Sequence, residues 1–155
     1  MLKQPNSRHC FVCGLENEVG LKLKFYETAP GEVEVRYVVP EHFQGYPGVV
    51  HGGITAALVD EALGRVHMDS NPEKVRFMYT AKMTVQYRKP VPTGKPIKIV
   101  ARAVKSRQRS AFSEAQVFGP NGDLLIEAEA ILLDVPPETL SELSLEDLGW
   151  KVYPD

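Results

Sequence analysis

Residues 48–64 read Gly48-Val49-Val50-His51-Gly52-Gly53-Ile54-Thr55-Ala56-Ala57-Leu58-Val59-Asp60-Glu61-Ala62-Leu63-Gly64. From His51 to Met68, apolar Ile54, Ala56, Ala57, Leu58, Val59, Ala62, Leu63 and Val66 cover every side of a helical wheel. A helix that is apolar all round is a buried helix. The flanking sequence has a different period. Upstream, Leu21, Leu23 and Phe25 alternate with Lys22 and Lys24, and Val33, Val35, Tyr37 and Val39 alternate with Glu32, Glu34 and Arg36. A period of two predicts half-buried strands, and Pro30-Gly31 between the runs predicts a hairpin. Residues 40–50 are rich in Pro and Gly and predict a loop.

Downstream, Asn71-Pro72 breaks the chain, and four further strands are expected at about 77–88, 96–106, 110–118 and 124–134. Pro90, Pro92 and Gly94 separate the first two, and Pro120-Asn121-Gly122 turns between the last two. Two strands, one long helix and four strands predict an α+β fold: an antiparallel six-stranded sheet wrapped around one central helix. Residues 1–19 are expected to be irregular, 20–135 to form the domain, and 136–155 to be a polar tail with a short helix near Ser141–Leu148. Such a sheet leaves an edge and part of the helix open. A second copy is the simplest cover, so a homodimer, and a dimer of dimers built from it, is expected.

The composition narrows the function classes. The 155 residues carry 18 Lys+Arg and 20 Asp+Glu, a net charge of -2. That balance leaves no electrostatic footprint for nucleic acid. No apolar run approaches the ~20 residues that span a bilayer, and Met1–Cys10 lacks the apolar core of a signal peptide. A cytoplasmic location with no membrane partner is therefore expected, with Cys10 and Cys13 as reduced thiols. His9, Cys10 and Cys13 are potential ligands. One Cys-x-x-Cys without a second pair is half a zinc site, so no metal is expected.

The chemistry is expected where the loop meets the helix. Gly52 and Gly53 let a substrate approach the backbone closely. The first amides of a helix lack internal partners and sit in the positive end of its dipole, where they can stabilise an oxyanion. Asp60 and Glu61 follow on the same helix among apolar neighbours, and a buried carboxylate there makes a useful base. Adjacent helical residues point about 100° apart, so the two acids face different surroundings. Asp60 lies eight residues beyond Gly52, about 12 Å along one helix. A reacting carbonyl must lie ~3 Å from both its attacker and its oxyanion donors. If the two groups act together, two helices must run antiparallel across a twofold axis.

His51-Gly52-Gly53 with Asp60 nine residues after the His, followed by Val85-Gln86-Tyr87-Arg88-Lys89-Pro90-Val91-Pro92-x-Gly94, resembles the hotdog-fold acyl-CoA thioesterases of the PaaI-like superfamily. The resemblance covers about residues 20–134, and Cys10-Phe11-Val12-Cys13-Gly14 looks like one branch of it. It implies the hotdog fold and hydrolysis of an acyl-CoA thioester. By position, Asp60 is general base or nucleophile, the Gly52 amide polarises the carbonyl, His51 positions the loop, and Thr80 positions the water. Gln44, seven residues before the His, stands for an Asn or Gln found near this point in many members; Glu61 competes with Asp60. Arg88, Lys89, Arg107 and Arg109, near strand ends, are the candidates for coenzyme A phosphates. No cofactor is implied. A non-catalytic acyl-CoA-binding hotdog protein and a hotdog hydratase or dehydratase are the alternatives.

Overall fold

The computed structural model describes residues 1–155. Its seven strands are β1 (Leu2–Lys3), β2 (Tyr26–Ala29), β3 (Glu32–Val38), β4 (Met78–Tyr87), β5 (Pro96–Ser106), β6 (Ser110–Phe118) and β7 (Leu124–Asp134). They form one antiparallel sheet in the order β1-β2-β3-β5-β6-β7-β4. The helices are α1 (Gly52–Arg65), α2 (Pro137–Ser141) and α3 (Leu145–Leu148). The α+β arrangement is the expected one, and β5, β6 and β7 occupy the expected spans.

The count of six strands is corrected to seven. β1 is a two-residue strand paired with Tyr26 and Glu27, too short to leave any periodicity in the sequence. The first expected strand is also displaced. Leu21, Leu23 and Phe25 are buried as their alternation demands, yet the strand that follows them, β2, begins only at Tyr26. Lys22 has φ of 57°, a left-handed conformation that interrupts a ladder. Residues 21–25 instead pair with the N-terminal segment: the amides of Leu21 and Leu23 donate to the carbonyls of Phe11 and Val12, each at 2.8 Å. Pro30-Gly31 does close the β2–β3 hairpin, with Gly31 at φ 73°.

The sheet wraps α1. Leu58, Val59, Ala62 and Leu63 are buried against Val33, Val35, Ile99, Ala101, Val117, Ile126 and Leu132. Burying each of the larger aliphatic side chains contributes about 1.5–3 kcal/mol. The helix is not covered all round, however. Ala56, Ala57, Asp60 and Gly64 are only half-buried, and a Cβ added at Gly64 would meet nothing within 4 Å. The uncovered flank lies beside β4, which pairs with β7 on one side only.

The terminal segments are parts of the same packed unit. Asn6 is buried and donates through Nδ2 to the carbonyls of Cys13 and Leu23 at 2.7 and 2.8 Å. The expected polar tail carries two short helices and a buried Trp150, which packs edge-on against Phe77. Asp155 binds Lys3 Nζ and the Tyr26 hydroxyl, each at 2.7 Å.

Candidate active site

Local sequence shapes the start of α1. His51 is its N-cap, and its Nδ1 accepts from the Gly53 amide at 2.9 Å. The ring proton therefore sits on Nε2. A Cβ at Gly53 would lie 3.1 Å from His51 Nδ1, so the missing side chain is what lets the imidazole fold back. Gly53, expected to face substrate, spends its amide on this cap. The Gly52 amide donates to no group of the chain and stays at the exposed helix terminus. It is the free N–H that an oxyanion site requires.

β4 holds both halves of the candidate site. Near its beginning, Thr80 Oγ1 donates to Asp60 Oδ1 at 2.6 Å. At its end, the Tyr87 hydroxyl donates to the Gly52 carbonyl at 2.7 Å. Its ring lies 3.7 Å from where a Gly52 Cβ would stand. Tyr87 is the residue that sequence reasoning missed: it was visible only as part of a motif, with no signal that it reaches the helix. Thr80 is brought directly to Asp60. Gln44 is exposed, and its backbone forms a bridge with Val50 that brings the loop beside His51. At the neighbouring Gly45, a Cβ would come within 3.3 Å of His51 Cα.

Glu61 faces elsewhere. Arg65 Nε donates to its Oε1 at 2.8 Å, and the Arg65 side chain is 0% exposed. The guanidinium stacks on Phe25 and Trp150 at 4.6 and 4.9 Å and donates to the Pro5 carbonyl. Glu61 also approaches the thiols of Cys10 and Cys13. A hydrogen bond from Cys13 pulls the Cys10 thiol down to about 6, whereas Cys13 is pushed up by that same bond and by burial. The helical offset thus separates the two acids, Asp60 toward β4 and Glu61 toward the N-terminal loop.

The basic residues do not form one cluster in the chain. Arg88 and Lys89 follow β4 beside Ile126, and Arg107 and Arg109 flank the β5–β6 turn near Leu133. The seven-residue step along β7 separates these ends by about 24 Å. Arg88 pairs with Glu127, and Lys89 with Asp123 at 3.3 Å. The side chains of Arg107 and Arg109 are exposed at the turn.

A sheet wrapped round one long helix, with a free amide at the helix start and a carboxylate on its open flank, has the architecture of a hotdog protein. The chain belongs to the thioesterase superfamily, whose family model matches residues 47–126. It is similar to the acyl-coenzyme A thioesterase THEM4 of Xenopus laevis, 27% identical over 73% of this chain and 50% of that protein. The THEM4 of Rattus norvegicus is 24% identical over 88% of this chain and 58% of the relative. The chain thus spans about half the length of these relatives. Among solved structures, a thioesterase superfamily protein aligns with TM-score 0.71 at 25% identity, covering 81% of this chain and 63% of its own. The PaaI protein of E. coli aligns with TM-score 0.66 at 12% identity, covering 75% and 81%. A Streptococcus mutans protein solved with bound acetyl CoA aligns with TM-score 0.65 at 19% identity, covering 73% and 88%. No helix of the chain is long and apolar enough to cross a membrane.

Proposed function

We propose that this chain hydrolyses acyl-CoA thioesters to free acid and coenzyme A, at a site completed by a second copy of itself. The observation that carries the reading is the double anchoring on β4: Thr80 holds Asp60, and Tyr87 holds the first peptide of α1. β4 has an unpaired edge. Antiparallel pairing with its own copy about Thr84, with the bulge between Thr80 and Lys82 taken into account, would set Thr80 of each chain opposite Tyr87 of the other, ~5 Å apart. Asp60 of one chain would then approach Gly52 of its partner, closing the ~12 Å gap that one helix leaves. The same pairing would bring Arg88 and Lys89 of one copy to the end of the sheet that carries Arg107 and Arg109 of the other. That grouping suits the phosphates of coenzyme A.

In this site the Gly52 amide polarises the thioester carbonyl. Asp60, with Oδ1 fixed by Thr80, uses Oδ2 either to take a proton from attacking water or to attack the carbon itself. In the first route the water oxygen bonds to the acyl carbon and the negative charge moves to the carbonyl oxygen, held by Gly52. Collapse breaks the carbon–sulfur bond, and the departing thiolate takes the proton from Asp60. Free-thiol release across a panel of short, long and aromatic acyl-CoAs tests the activity. Thiol release from at least one class is the expected result. Saturable binding of acyl-CoA with no thiol release from any would instead make this a binding protein.

Tyr87→Phe tests the anchoring at the helix start. Loss of one hydrogen bond of ~1 kcal/mol should lower kcat by about 5- to 10-fold. KM and the melting temperature should stay near those of the unaltered chain. An unchanged kcat would remove Tyr87 from the site.

A further inference from the structure

A second constellation lies on the other flank of α1, away from Asp60. Cys10 Sγ, Cys13 Sγ and a Glu61 carboxylate oxygen all lie within 4.8 Å of one another. Cys10 Sγ and Glu61 Oε2 are 4.0 Å apart. Tetrahedral zinc with sulfur at ~2.3 Å and oxygen at ~2.1 Å holds its ligands about 3.5–3.8 Å apart. The three atoms are therefore within small side-chain shifts of a coordination sphere.

The loop is built around the Cys10 sulfur. The amides of Val12 and Cys13 donate to it at 3.4 and 3.5 Å. The Gly14 amide closes the turn on the Cys10 carbonyl at 2.8 Å. Only glycine fits there, because a Cβ would stand 2.3 Å from that carbonyl oxygen. Amides directed at a sulfur favour the thiolate, the form that ligates metal. The third ligand is equally fixed: Arg65 holds Glu61 Oε1 and leaves Oε2 on the side of the thiols. An outer partner of this kind orients a ligand. Two thiolates and one carboxylate balance the charge of a divalent ion plus the buried Arg65. The remaining side opens on a cavity of about 380 Å³ that Met68, Phe77, Leu148 and Trp150 help to line.

We propose that Cys10, Cys13 and Glu61 form a zinc site with three protein ligands and a fourth position open to this cavity. Two soft sulfur ligands select zinc over magnesium or calcium. The site is independent of the thioesterase reading, since the hydrolysis proposed above assigns no role to any of its ligands. It also revises the expectation of no metal drawn from a single Cys-x-x-Cys, because α1 supplies the missing partner.

The test uses the full chain, stripped with a chelator in a phosphine reductant and titrated with Co(II), then Zn(II). One cobalt per chain should bind, with thiolate-to-cobalt charge transfer and the visible bands of a tetrahedral ion, and one zinc should displace it. Cys10→Ser with Cys13→Ser should abolish the charge-transfer band. Glu61→Gln should weaken binding at least about 10-fold, since even outer-shell losses have that effect. X-ray absorption of the zinc-loaded wild type keeps the ligand set testable if Glu61→Gln does not fold. It should give two sulfurs and two lighter atoms. Failure of the folded wild type to take up cobalt, equal uptake by the double cysteine variant, undiminished affinity in folded Glu61→Gln, or a sphere of different composition would each overturn the proposal.

Discussion

Asp60→Asn should lower acyl-CoA hydrolysis by about 10²–10⁴-fold, the usual contribution of a positioned acid–base group, while acyl-CoA binding persists. The substitution keeps the size and the bond from Thr80 Oγ1, which stands at 2.6 Å from Oδ1. It removes only the charge. Near-normal hydrolysis by the folded variant would rule out Asp60 as base or nucleophile. The proposed sharing of the site between two copies adds a stricter requirement. Gly52→Pro removes the free amide at the helix start, a position where proline's fixed φ is tolerated. Loss of one oxyanion donor should cost about 10²–10³-fold in kcat. When folded Asp60→Asn and folded Gly52→Pro chains are exchanged into mixed dimers, one of the two sites combines an intact Asp60 with an intact Gly52, and activity should return. Mixed dimers as inactive as their parents would mean that the two residues do not meet across an interface.

Glu61→Gln should have the opposite profile. Its partner Arg65 is fully buried, and its Nη2 has no hydrogen-bond partner. Removing the carboxylate charge leaves a buried guanidinium uncompensated, which typically destabilises by about 3–5 kcal/mol. The stacking on Phe25 and Trp150 and the bond to the Pro5 carbonyl remain, so the lower end of that range is expected. Urea denaturation of the metal-free chain measures the loss, and hydrolysis per folded molecule should remain within a few-fold of the unaltered chain. A variant of unchanged stability with no activity would transfer the catalytic role from Asp60 to Glu61.

Most of the secondary structure was legible because its causes are local. The spans of β5, β6 and β7 follow from alternation between turn formers, and α1 from a dense apolar stretch opened by His51-Gly52-Gly53. The free Gly52 amide was legible for the same reason: a helix start exposes its first N–H groups whatever surrounds it. Residues 21–25 mark the limit. Their alternation predicted burial correctly, but pairing was decided by the left-handed Lys22 and by the N-terminal segment lying beside them.

Residue order alone is enough to read which residues alternate, where the long helix starts, and that Gly52 and Asp60 are separated along it. Which surface each of two adjacent acids faces depends on long-range packing. Sheet order brings Thr80 to Asp60, while the packed N-terminal loop and Arg65 claim Glu61. It likewise separated Arg88 and Lys89 from Arg107 and Arg109, which the linear chain cannot do because strand ends acquire neighbours only through register. The difference is one of range. Periodicity, capping and turn conformation are settled within a few residues, whereas the partner of a buried charge or thiol depends on contacts between segments about 50 residues apart, as for Cys10 and Glu61.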